Sequence, residues 1–85
     1  MPQADTTVPN RDELRDLIAD VLDIPAEMIT DDAHFADDLE VDSLMALELM
    51  VILERTYSVK LEESRLKEVT SLARAHALLV EEMGK

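Results

Sequence analysis

The side chains of this 85-residue chain that could do chemistry converge on one place, Asp42-Ser43-Leu44, at the end of a long acidic stretch. There is no cysteine, so the protein has neither disulfides nor a thiolate of its own, and any thiol chemistry must come from a cofactor. As a nucleophile, Ser43 would need His34 or His76 as its base. The sequence lacks a G-x-S-x-G elbow, and a chain this short cannot shelter an active site, so an enzyme is not expected. His34 reads as a water-exposed loop residue and His76 as edge packing on the last helix. A calcium loop fails as well. A register starting at Asp38, with Glu40 and Asp42, puts Ser43 where Gly is required and Leu49 where the bidentate Glu belongs. Loose cation binding by Asp31, Asp32, Asp37 and Asp38 would relieve charge without forming a defined metal site. Asp followed by Ser often starts a helix for structural reasons alone. A serine in that first turn, however, points its hydroxyl outward beside unpaired N–H groups, and an esterified phosphate there would face the positive end of the helix dipole.

The elements that must position this serine are helical. One Gly, three Pro, two aromatics and abundant Leu, Ala, Glu, Met and Arg favour helices over sheet, and 85 residues supply one core. Residues 1–9 read as a frayed tail, and residues 10–85 as a single domain. Asn10 is placed to cap a first helix carrying Leu14, Leu17, Ile18, Val21 and Leu22 at helical spacing. Pro25 ends it and opens a long connection to Val41, which Ile24, Met28, Ile29, Phe35 and Leu39 could pin to the core. Asp42 caps a second helix from Ser43 to about Tyr57, apolar at ten of its fifteen positions. At about 100° per residue, Ala46, Leu49, Met50, Leu53 and Tyr57 share a core face. Leu44, Glu48, Val51 and Arg55 share the opposite one, flanked by Met45 and Ile52. Such a stripe suits a partner site, or equally a face covered by neighbouring loops. A short third helix is expected over Glu62 to Lys67. A last helix is capped by Ser71, carries Leu72, Ala75 and Leu79, and ends before Gly84.

The net charge of −12 lies in one segment: Asp16 to Glu54 holds twelve acids and no Lys or Arg, and the remainder balances eight acids against eight bases. This is compatible with a solvated surface and with docking to a basic partner. Binding to nucleic acid is not expected, because the basic footprint is missing. No apolar stretch approaches the length of a membrane span and no signal peptide is legible, so a soluble, cytoplasmic protein is expected. The initial Met and compact ends favour a free-standing protein over an excised domain.

Asp37-Asp38-Leu39-Glu40-Val41-Asp42-Ser43-Leu44-Met45-Ala46-Leu47-Glu48-Leu49 resembles the attachment motif of acyl carrier proteins, and the order of helices over residues 10–83 is similar to that family's. The resemblance implies an all-α four-helix bundle with a short third helix and a long loop between the first two. Ser43 would carry 4'-phosphopantetheine, transferred from coenzyme A by a phosphopantetheinyl transferase that reads Asp42 and the start of the helix. Leu44, Leu47, Glu48 and Val51 would fall where the family contacts acyltransferases, ketosynthases and other acyl-processing enzymes. The carrier would be a monomer holding its cargo as a thioester, and the Leu- and Met-rich interior could shelter that cargo. Carriers commonly have a Gly two places before the serine, where Val41 stands here, so a stiffer turn is expected with modification retained. Met45 and Arg55 occupy positions often acidic in fatty acid carriers, and Asp42 favours acyl over peptidyl cargo. A polyketide or specialised pathway is therefore expected before primary fatty acid synthesis. The alternative is an unmodified acidic adaptor that docks a basic partner through the second helix.

Overall fold

The computed structural model describes residues 9–84, which contain helices and no strands. Helix α1 spans Arg11–Leu22, the one-turn α2 Phe35–Asp38, α3 Ser43–Tyr57 and α4 Leu72–Met83. Two 3-10 segments, Ala26–Met28 and Glu63–Glu68, lie between them. The three long helices start where their caps stand. Asn10 Oδ1 accepts from Glu13 N, Asp42 Oδ1 from Met45 N and Ser71 Oγ from Arg74 N, each satisfying a first-turn donor without an intrahelical partner. The left-handed residues that close α1 and α3 are Asp23 and Ser58. Gly84 at the end of α4 is right-handed.

Leu14 and Ile18 of α1, Leu49 and Leu53 of α3, and Leu72 and Leu79 of α4 are almost wholly removed from solvent and form the centre of one core. The short third helix is present as the 3-10 segment Glu63–Glu68. Arg65 holds it against α4 by bonding to Glu68, Glu81 and Glu82. Of the expected tail, only Pro9 falls among the described residues. It is buried, and its carbonyl lies 2.9 Å from His76 Nε2 on α4.

The long connection is more ordered than a plain loop. Arg15 bonds the Ile29 carbonyl at 2.7 Å and Asp31 at 2.6 Å, and Arg11 reaches the same Asp31 carboxylate. On the other side the Ala73 N–H donates to the Asp31 carbonyl and the Phe35 N–H to the Thr70 carbonyl. The buried Phe35 side chain anchors α2 between these contacts. The connection is thus bolted to α1 and α4, and it brings its acidic end to the start of α3.

Candidate functional site

Ser43 is the first residue of α3, and its side chain is exposed. Its position follows from the residues on either side. Asp42 is extended and caps α3, with Oδ1 2.9 Å from Met45 N. Val41 is buried, and its N–H donates to the Phe35 carbonyl at 2.8 Å. The chain therefore arrives at Ser43 along a path fixed by α2, and the hydroxyl emerges beside the first-turn N–H groups.

The expectation of a stiffer turn at Val41 is corrected by one position. The residue whose backbone needs the freedom of a glycine is Glu40, with φ 56°, whereas Val41 serves as a core anchor. Periodicity could not distinguish the two, because the left-handed bend arises where α2 must turn into α3.

Ser43 borders a cleft of about 380 Å³ between α2, the start of α3 and the 3-10 segment Glu63–Glu68. Apolar groups of Phe35, Val41, Ala46, Leu66 and Val69 alternate in its walls with His34, Ser64, Lys67 and Thr70. His34 is exposed, as expected of a loop residue, but it is also the cap of α2. Its Nδ1 lies 3.3 Å from Asp37 N, and its backbone N–H donates to Asp38 Oδ2. His76, bonded to the Pro9 carbonyl, lines none of this cleft. The structure brings neither histidine into a bond with Ser43.

On α3, Leu49, Met50 and Leu53 are buried and Ala46 and Tyr57 are half-buried, as the core face requires. Burial and, secondarily, the Glu13 carboxylate push the Tyr57 phenol above its ordinary range. The opposite face is open. Leu44 is 66 % exposed and Val51 39 %, Glu48 and Arg55 are exposed, and Leu47 is half-buried. No described loop covers this stripe. Val21 and Leu22 of α1 extend it sideways into a small groove with Met45, Glu48 and Ile52. Asp31 pairs with Arg11 and Arg15, which takes it out of any acidic cluster available to a cation.

The chain matches the sequence profile of the family described as a phosphopantetheine attachment site over residues 12–79. It is 49% identical to the polyketide-8 synthase acyl carrier protein 2 of Streptomyces avermitilis, across 99% of this chain and 97% of that protein. It is 39% identical to an acyl carrier protein of Brachyspira hyodysenteriae, across 87% of this chain and 95% of that one. The polyketide-8 synthase acyl carrier protein 1 of Streptomyces avermitilis is 27% identical across 84% of each. An exposed serine hydroxyl at a helix start, beside an open cleft with mixed apolar and hydrogen-bonding walls, fits a phosphodiester continued by an arm of amides and methyl groups.

Proposed function

Because the chain belongs to the family of phosphopantetheine-bearing acyl carrier proteins, we propose that Ser43 is the residue that holds the arm and that Asp42 is part of what the attaching enzyme reads. The observation that carries this reading is the place of Ser43: exposed, first in α3 and at the lip of the cleft. When bound, the group supplies a terminal thiol on which acyl cargo is held as a thioester. An acyl carrier does not catalyse, and what this chain's residues contribute is position. Asp42 fixes the start of α3 by accepting from the Met45 and Ala46 amides, Val41 and Phe35 fix the approach to it, and the positive end of the α3 dipole favours an anion on Ser43.

Leu44, Leu47, Glu48 and Val51 form the docking face for the phosphopantetheinyl transferase and then for acyltransferases, ketosynthases and related enzymes. Exposed apolar groups within an acid-rich segment support this, since such a patch attracts basic partners and buries modest area. A flexible arm raises the local concentration of cargo at a docked enzyme, so weak and rapidly reversed contacts suffice. The cargo is of polyketide or specialised type rather than that of primary fatty acid synthesis. Supporting this are the 49% identity to a polyketide synthase carrier and the uncharged or basic Met45 and Arg55 on the docking helix. Residues 10–85 act as one monomeric carrier domain in the cytoplasm. The unmodified adaptor finds no support among these relatives.

Intact mass after incubation with coenzyme A and a promiscuous phosphopantetheinyl transferase tests the assignment. The wild type gains one phosphopantetheine and Ser43→Ala gains none. A folded wild type that gains nothing, or a Ser43→Ala protein that is modified, refutes it.

A further inference from the structure

Attachment at Ser43, the reading on which this inference rests, adds a phosphodiester anion to a crowded acidic surface. Asp37, Asp38, Glu40 and Asp42 all lie within the six residues before Ser43, and no Lys or Arg occurs between Asp16 and Glu54. His34 borders the same cleft, but its Nδ1 is engaged by its own helix turn, 3.3 Å from Asp37 N and 3.7 Å from the Asp37 carboxylate. One Lys or Arg lines the cleft. Lys67 lies on the 3-10 segment Glu63–Glu68, across from the first turn of α3.

The surroundings of Lys67 leave it available. It is exposed and makes no hydrogen bond or ion pair among the described residues. Glu68, next in sequence, feels its charge but is bonded twice by Arg65, whose hydrogen bonds hold that carboxyl below its ordinary range. Glu63 is the other charged group on this wall. A lysine on a four-carbon stem can follow a phosphate without fixed geometry, and beneath it the apolar Leu66 and Val69 and the hydroxyls of Ser64 and Thr70 continue into the cleft.

We propose that Lys67 is the counter-ion of the phosphodiester on Ser43, a positioning residue that turns the arm into the cleft instead of leaving it in solvent. Its mate is an anion that the apo protein lacks, so the contact forms only after modification.

The test compares apo and holo forms of the wild type, Lys67→Glu and Lys67→Arg by amide NMR shifts and arm-to-protein NOEs, with intact mass establishing loading. In the wild type, loading shifts the amides of residues 63–70. An exposed charge pair is worth at most about fivefold in population, so these shifts and NOEs fall about two- to fivefold in Lys67→Glu. They persist in Lys67→Arg, and about 1 M salt weakens them in the wild type. Equal shifts in loaded wild type and loaded Lys67→Glu overturn the proposal while leaving attachment at Ser43 intact. Equal loss in Lys67→Arg also overturns it, since charge would not be the cause. Failure of the wild type to gain mass overturns both readings.

Discussion

Glu40 offers the sharpest test of how the site is built. It is a non-glycine residue at φ 56°, where an L side chain costs about 1–2 kcal/mol. Glycine relieves that strain but gives back about 0.5–1 kcal/mol in unfolded-state entropy. The substitution also removes one carboxylate from a run containing Asp37, Asp38 and Asp42. Glu40→Ala removes the same charge and keeps the strain, so the difference between the two variants isolates the backbone. Glu40→Gly is expected to be more stable than Glu40→Ala by about 0.5–1 kcal/mol, or about 3–6 °C in Tm for a domain of this size. Thermal and urea unfolding of the apo protein, followed by circular dichroism, measure it. Val41→Gly is the contrast. It empties a buried position and adds backbone freedom, so it should cost about 2–4 kcal/mol. Equal stability of Glu40→Gly and Glu40→Ala would refute backbone strain at Glu40, and a harmless Val41→Gly would refute the anchoring role of Val41.

Asp42→Ala removes the bond from Met45 N, and urea unfolding should show a loss of about 1 kcal/mol together with slower arm attachment. Leu44→Ala trims a side chain that is 66 % exposed, so stability should stay within about 0.5 kcal/mol. In steady-state kinetics the same variant should raise the KM of the attaching enzyme about fivefold with kcat unchanged. Hydrogen bonds from Arg65 lower the Glu68 pKa from its ordinary 4.5. The resulting stability is therefore complete above about that pH and is lost as pH falls through the lowered folded value. Arg65→Gln should accordingly melt below the wild type at neutral pH, with the gap in Tm narrowing below about pH 4.5; a gap independent of pH would argue against the contact.

Local chemistry was enough to place much of this protein. Asn10, Asp42 and Ser71 cap the three long helices because capping needs only a short polar side chain three residues before an unpaired N–H, a relation contained within one stretch of chain. The two faces of α3 were legible for a similar reason, since helical spacing alone separates Leu49 and Leu53 from Leu44 and Val51. The motif around Ser43 carried the family. Tertiary structure decided the rest. Four residues cannot sustain a helix by themselves, and α2 exists because Phe35 is buried and its N–H meets the Thr70 carbonyl, thirty-five residues away. The left-handed turn falls on Glu40 because α2 and α3 must meet at an angle set by that packing. Lys67 comes to the cleft of Ser43 because Leu61, Leu66 and Val69 pack the 3-10 segment and its flanks on the core and Arg65 ties it to α4. Propensity and periodicity act over a few residues, whereas a cleft is made by surfaces that meet only after the core has closed.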